Sequence, residues 1–525
     1  MIKSNNENKD EQTLKELNIN SVSFTGAEMK NDFDINTKKT EYPSKEQLIN
    51  KAFKFHSQGN IIEAAKYYQY CIEKNFNDSR IYSNYSIILK GIGKLKEAEK
   101  FQRKAIQCNP NLAESYYNLG IILKDIGKEQ EAYDSYIKAI KIKADFPQAF
   151  VNLGLLLKDM DKLKDAELYT RKAIQINPNL AEAHCNLGII LVDLGKLKEA
   201  RISLRKSIKL NPEMADSYCT LGKILLDSGE NEEAEILTYK AIKLNQNLQN
   251  AHYNLGNILR QRGKLNEAEL SLLKAIKIKP DFSLALRDLS ICQYLMGKKY
   301  SALNSIKKAN SLDPKEVNNK ILLKIFSQTK EIGGGNKYLK KEISNNGKNN
   351  LYSNPIRLNR PVEKELINRL YKIKARDQEK HQDPTFGNAK GSDYALFEIN
   401  DLIIKNIKEE LTNIARNSIH SDIFIVDSFF TIFRSGGGLK SHNHINKLDK
   451  INGLNLAERK FSLVYYLSVG DQSCDEPGIL KLEDPSQNIL PNDGLIIIFP
   501  AERQHSVFYK GQKDRIIIGV NFYVI

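Results

Sequence analysis

AEAHCNLGIILVDLGKLKEARISLRKSIKLNPEM, residues 181–214, decides the fold. Two stretches of helical apolar period flank Gly195, and Pro212 closes the second. The pair reads as two antiparallel helices joined at a residue that adopts left-handed backbone. One such hairpin cannot bury its own apolar face, and the chain meets that need by repetition. Glycine recurs at a 34-residue step as Gly59, Gly93, Gly127, Gly195, Gly229, Gly263 and Gly297. The remaining position of the series is Asp161, a residue type that also tolerates left-handed backbone. A period of this length predicts a stack of two-helix units rather than one globular core.

Small residues keep the same step. Alanine stands at 64, 98, 132, 166, 200, 234, 268 and 302. Seven residues further on come Cys71, Ala105, Ala139, Ala173, Ser207, Ala241, Ala275 and Ala309. Gly120, Gly154, Gly188, Gly222 and Gly256 mark a third small position. Small side chains allow paired helices to approach closely. Pro110, Pro178, Pro212, Pro280 and Pro314 end the second helix of their units. This pattern resembles the tetratricopeptide repeat, with eight units over residues 45–316. The resemblance implies an α-solenoid, a right-handed superhelix whose concave face binds a protein or peptide segment.

The last unit exposes an apolar face, so a capping helix is expected at 317–331, followed by a flexible basic linker to residue 350. Residues 1–44 are rich in Asn, Lys, Glu and Ser and are expected to be disordered.

The formal charge is +15, carried mostly by lysine. Lys94, Lys128, Lys162, Lys196, Lys264 and Lys298 follow the turn residues and read as a solvated edge, so no nucleic-acid partner is expected. The six cysteines form no C-x-x-C, which fits a reducing cytoplasm. Cys185 and Cys219 occupy equivalent positions and read as small core residues. The N-terminus lacks the apolar core of a signal peptide, and the apolar run at 495–499 is far too short to span a bilayer. A soluble chain without a membrane partner is expected.

Asn50, Asn84, Asn118, Asn152, Asn186 and Asn254 share one register of the first helices, with Thr220 and Asp288 in its two remaining slots. Amides with a donor and an acceptor each can grip a peptide backbone without reading its sequence. Asp125, Asp159, Asp193 and Asp227 lie seven residues further on, nearly the same helix face, and suggest a segment with basic character. The row resembles the asparagine ladder of the O-GlcNAc transferases. Ordinary polar solvation of an inner face is the competing reading.

After residue 351 the helical period fades. IFIVDSFFTIFR (423–434), FSLVYYLSV (461–469), LIIIFP (495–500) and RIIIGVNFYVI (515–525) are β-branched and aromatic, with turn residues between them. They predict a β-sandwich or barrel. Three of the eight histidines fall in one arrangement: His442 and His444 just after a glycine triplet, and His505 63 residues beyond His442. Residues i and i+2 of a strand share a face, so His442 and His444 can present their imidazoles together, and a distant strand can supply the third. Three ligands on one face leave positions open on a metal ion. Arg515, ten residues after His505, suits bidentate grip of a carboxylate.

This layout resembles the Fe(II)/2-oxoglutarate oxygenase superfamily in its prolyl-hydroxylase-like branch, and the whole resembles cyanobacterial-type proteins that join such a domain to tetratricopeptide repeats. The resemblance implies an α+β double-stranded β-helix (jelly-roll) domain over residues 351–525. It implies that His442, His444 and His505 hold Fe(II) and that Arg515 binds 2-oxoglutarate, so that a protein or peptide is hydroxylated. His444 departs from the pattern, because that family places an acid there. A non-catalytic scaffold is the alternative. A sugar transferase is the weakest reading: about 175 residues follow the linker, against roughly 300 for two nucleotide-binding domains. Tyr465 and Tyr466 read as packing residues, His381 and His420 as surface residues, and Asn521 has no assigned role.

Overall fold

The computed structural model describes residues 43–328, 354–373, 376–377, 387–392 and 394–525. The segment expected to be disordered (all but its last two residues), the basic linker and His381 lie outside the described residues. Two compact units divide the chain, one ending at Ile258 and the other starting at Leu259.

Sixteen helices follow one another along the chain, two to each repeat. They are α1 (Lys45–Ser57) with α2 (Ile61–Glu73), α3 (Ser79–Gly91) with α4 (Leu95–Cys108), α5 (Ala113–Ile126) with α6 (Glu129–Ile142), and α7 (Pro147–Asp159) with α8 (Leu163–Ile176). Next are α9 (Ala181–Asp193) with α10 (Leu197–Leu210), α11 (Ala215–Asp227) with α12 (Asn231–Leu244), α13 (Gln249–Gln261) with α14 (Leu265–Ile278), and α15 (Ser283–Leu295) with α16 (Lys299–Leu312). A further helix, α17 (Val317–Gln328), follows. The turn residues adopt positive φ as expected, Asp161 among them at +59°.

The small positions have steric causes. The eight recurrent alanines are fully buried. A Cβ at Gly120 would lie 2.6 Å from the ring of Tyr136, and one at Gly222 would lie 2.7 Å from Thr238 Oγ1. The residue before each closing proline is extended: Asn109, Asn177, Asn211, Lys279 and Asp313 have φ from −144° to −127°. Proline disfavours helical backbone at the residue before it, which favours the stop of these five second helices there.

Along the turn edge, Lys128 pairs with Glu99 at 3.0 Å, Lys196 with Glu167 at 2.7 Å and Lys298 with Glu269 at 2.6 Å. Exposed pairs of this kind contribute little each. Cys185 and Cys219 are buried, and the cysteines are free thiols.

In the second unit the strands build one antiparallel sheet in the order β1-β8-β5-β10-β4-β9-β6-β7. They are β1 (Ile356–Asn359), β2 (Arg376–Asp377), β3 (Gly387–Gly391), β4 (Ile423–His442), β5 (Lys460–Ser468), β6 (Leu480–Leu482), β7 (Gln487–Ile489), β8 (Leu495–Pro500), β9 (His505–Tyr509) and β10 (Arg515–Val524). The short β3 pairs with β4, and β2 with β3. The long β4 pairs with β10 along its first half and with β9 along its second. This change of partner curls the sheet into a half-barrel.

Alternation along the strands then makes two cores. Ile432, Leu463, Tyr465, Ile496, Ile498, Ile516 and Ile518 face α18 (Lys364–Lys372) and α19 (Leu402–Ile419). Phe433, Tyr466, Ile497, Phe499, Val507, Tyr509 and Ile517 form the inner face. The cap is broader than one helix. Ile321, Leu322, Ile325 and Phe326 of α17 share an apolar cluster with Leu286, Ile291 and Ile306 of the last repeat, and with Leu448, Leu454, Leu456 and Tyr523 of the β-domain. No described helix is long and apolar enough to cross a membrane.

Candidate metal centre

The glycine triplet at 436–438 shapes the approach to the site. Gly436 has φ +83°. A Cβ at Gly438 would lie 2.5 Å from the Val507 carbonyl oxygen, so glycine lets β9 close on β4. A bulge follows between Leu439 and His442, and His442 then pairs directly with His505 across the strands. His444 lies two residues past the strand end, yet its N–H donates to the Ala501 carbonyl at 2.9 Å, which carries the ladder on.

The three rings therefore converge. Their centroids are 4.3 Å apart for His442 and His505, and 5.1 Å for His444 with either. One nitrogen from each ring lies within 4.8 Å of the others. Among the described residues this is the one cluster of this kind, and no carboxylate belongs to it.

Two rings are oriented from behind. His442 Nδ1 bonds the Lys440 carbonyl at 2.8 Å and His505 Nδ1 the Arg503 carbonyl at 3.2 Å. A carbonyl oxygen only accepts, so both Nδ1 atoms carry the proton and both Nε2 atoms keep a lone pair. Burial, reinforced by the neighbouring imidazoles, pushes His444 down to about 2 and His505 down to about 3. Both are neutral at pH 7, the form that binds metals. Phe499 packs edge-on against His505 at 5.1 Å, and Phe429 lies 6.4 Å from His444.

Arg515 opens β10 opposite Phe433 of β4, on the inner face. It is 1% exposed, with its guanidinium over the Tyr466 ring at 5.1 Å. Nη1 donates to the carbonyls of Pro477 and Gly478, while Nε is buried without an acceptor. Burial lowers its pKa. Asp514, the acid next to Arg515 in the chain, accepts from Tyr371 at 2.8 Å.

Further residues carry no metal-ligand motif, and sequence reasoning passed over their grouping. Lys460 and Asp449 form an ion pair at 2.9 Å with both side chains buried, and Tyr523 donates to Asp449. Lys460 is one of the charges that depress His444. Asn521 donates to Asp427 at 2.7 Å and accepts from Ser462 at 2.6 Å. Burial raises Asp427 to about 6. Tyr465 bonds Pro361 on the outer side, and His420 is an exposed left-handed cap of α19.

In the repeats, the asparagine row turns inward on the array. Asn118 donates to Ser83 at 3.4 Å, Asn152 to Tyr117 at 3.0 Å and Asn254 to the Cys219 carbonyl at 3.2 Å. Each bond reaches back 35 residues and staples one repeat to the one before. Val151 occupies that place behind Asn186, and the buried Asn186 Nδ2 has no partner. Asn50 is exposed and Asn84 half-buried. The aspartate row is paired as well: Asp125 with Lys90 at 3.1 Å, Asp159 with Lys124 at 2.8 Å and Asp193 with Lys158 at 3.7 Å.

Models of the tetratricopeptide repeat match residues 79–112, 101–134, 147–180, 181–214, 215–248 and 250–282. The helical part of the chain is a tetratricopeptide repeat array. Similar solved structures include the APC/C hetero-tetramer Cut9-Hcn1, at 16% identity and TM-score 0.45, over 54% of this chain and 56% of that one. The chain thus spans little more than half the length of that relative. YrrB, described as a TPR protein with an unusual peptide-binding site, is 22% identical at TM-score 0.29, over 37% of this chain and 99% of that one. A tetratricopeptide repeat protein from Parabacteroides merdae is 20% identical at TM-score 0.39, over 47% of this chain and 98% of that one. Nothing about partners follows from likenesses of this degree. Among curated proteins, none matches the chain. The tetratricopeptide repeats imply binding of a protein or peptide.

Proposed function

We propose that the β-domain is an Fe(II)- and 2-oxoglutarate-dependent oxygenase and that the repeats supply its protein or peptide substrate. The observation that carries this reading is the convergence of His442, His444 and His505. Neutral imidazoles suit a divalent first-row ion. The acceptor-free Nε of a buried Arg515 suits a carboxylate. When bound, iron and 2-oxoglutarate supply the oxygen activation that hydroxylation requires.

The chain's own contribution is orientation and charge. The Lys440 and Arg503 carbonyls hold two rings with their lone pairs available. Phe499 and Phe429 wall the cluster with apolar surface. His444 replaces an acid by a neutral ligand, which leaves the centre one charge more positive and favours an anionic co-ligand. Arg515 would hold the far carboxylate of that co-ligand. The array would raise the local concentration of a weakly bound segment. We place the protein in the cytoplasm, where its free thiols persist.

The test is succinate release from 2-oxoglutarate by anaerobically Fe(II)-loaded protein on admission of oxygen, with a peptide library as substrate. Wild type should release succinate, and His505→Ala and Arg515→Ala should not. Equal release by all three, or by none, sinks the reading. His444 favours one second reading, a scaffold whose β-domain binds an ion without turnover. It predicts stoichiometric metal with no succinate.

A further inference from the structure

We propose that the solvent-facing side of the second helices α8, α10 and α12 docks an acidic, aliphatic-rich segment of a partner protein. This surface is separate from the asparagine row and from the histidine cluster.

Leu168, Ile202 and Ile236 occupy one register of these helices and are 50%, 71% and 68% exposed. The same register carries Lys66, Lys100 and Asp134 in the first three repeats. Scattered exposed apolar residues are ordinary on any protein surface. In sequence the row begins at one repeat and persists through the next three, with Leu270 as its last member at 63% exposed, and contiguous apolar surface of this kind marks interaction sites.

One helical turn further on stand Lys172, Lys206 and Lys240, all exposed. Residues four apart share a helix face, so a lysine row runs beside the apolar row. Arg171 and Arg205 are engaged by Glu199 and Glu233. The three lysines have no carboxylate partner among the described residues; Lys172 lies over the Tyr169 ring at 5.2 Å, and all three ammonium groups stand on the exposed side, open to an outside carboxylate.

Between α8 and α10 the surface dips into a hollow of about 420 Å³. Ile174, Leu187 and Ile202 make its apolar part, with Arg171, His184 and Lys206 around them. It suits an aliphatic side chain flanked by carboxylates. The exposed lysines repel a basic segment. A bilayer presents no side chain to enter the hollow, which favours a peptide over an anionic membrane.

The experiment uses the full chain and fluorescence anisotropy. The probe is a fluorescein-labelled amphipathic peptide with leucine on one face and glutamate on the other. Its counterpart carries lysine in place of glutamate. The glutamate peptide should bind, more weakly as salt is raised, and the lysine peptide should not. Lys172→Glu/Lys206→Glu/Lys240→Glu should weaken binding at least tenfold, and so should Ile202→Ser/Ile236→Ser. Both sets change exposed positions, so helical circular dichroism should be unaltered. Lys408→Glu, an exposed position on α19 of the β-domain, should leave binding unchanged.

Equal binding of the two peptides, or binding insensitive to both sets of substitutions, overturns the proposal. So does retention on phosphatidylserine vesicles that the same substitutions abolish while peptide binding is absent, which would assign the face to a membrane. Self-association in sedimentation that is lost in the same variants would assign it to a second copy instead. None of these outcomes depends on metal or on succinate release.

Discussion

His442 and His505 are direct cross-strand partners, their ring centroids 4.3 Å apart across the junction of β4 and β9. Because the two strands hold each other in register, the pair is preformed, and with His444 the three rings need little rearrangement to share an ion. Removing one ring takes a ligand from an already minimal set. His505→Ala is expected to lower divalent-metal affinity at least about a hundredfold, beyond the effect of losing an outer-shell partner. Metal content by plasma mass spectrometry after equilibrium dialysis checks this, with stoichiometric ion in wild type and background in the variant.

Acid should destabilise the metal-free protein through the same histidines. Their folded values, about 2 for His444 and about 3 for His505, lie below the ordinary 6.5. The unfolded chain then binds protons first. The stability they contribute is complete above pH 6.5 and is lost as the pH falls from there toward 3. The slope is up to about 1.4 kcal/mol per pH unit for each histidine. Urea denaturation from pH 7 to 4 should show this slope, and His444→Ala/His505→Ala should flatten it.

Asp427 should act with the opposite sign. Burial raises its carboxyl from 3.8 to about 6. The folded state holds that proton more tightly, so its contribution is complete below 3.8 and is lost as the pH rises through 6. Asp427→Asn removes the cost of ionising it in place. The variant is expected to gain up to about 3 kcal/mol at pH 7.5 and almost nothing at pH 4. Thermal melts at the two pH values decide.

In the repeats, Gly120→Ala sets two effects against each other. Alanine is the better helix former by about 1 kcal/mol. Its Cβ would lie 2.6 Å from the Tyr136 ring, a side chain buried in the hairpin core. Overpacking of this kind costs about 1–3 kcal/mol, so a net loss of stability is expected. A higher urea midpoint in the variant would refute the steric account.

The asparagine row divides into bonded and unbonded members. Asn152→Ala removes the bond to Tyr117 and should cost about 1 kcal/mol. Asn186→Ala removes an amide nitrogen that has no partner, and should cost less. If Asn186 grips a peptide carbonyl, its loss weakens peptide binding by about fivefold to tenfold with little change in stability. Parallel denaturation and peptide titration of the two variants separate stapling from gripping.

The repeat array was legible because its causes are local. A turn glycine needs only its own backbone angles, and Asp161 could be read as its substitute for the same reason. A closing proline acts on the residue before it. The buried alanines and close-approach glycines advertise themselves by recurring at one step. The histidines were legible for a different reason, since the strand alternation that aims His442 and the spacing to His505 follow from short motifs. Lys460, Asp449 and Tyr523 carried no such signal. Each is an ordinary strand or loop residue, and only the folded sheet buries them together.

By itself the amino-acid order determined the hairpin units, the strand segments and the identity of the imidazoles. Tertiary structure decided what the polar groups do. It turned three asparagines back onto the preceding repeat, left the buried Asn186 Nδ2 without an acceptor, and gave Arg515 two backbone carbonyls rather than the neighbouring Asp514. The reason is physical. Backbone conformation depends on neighbours along the chain, whereas a hydrogen-bond partner is whichever group the packed fold brings within about 3 Å.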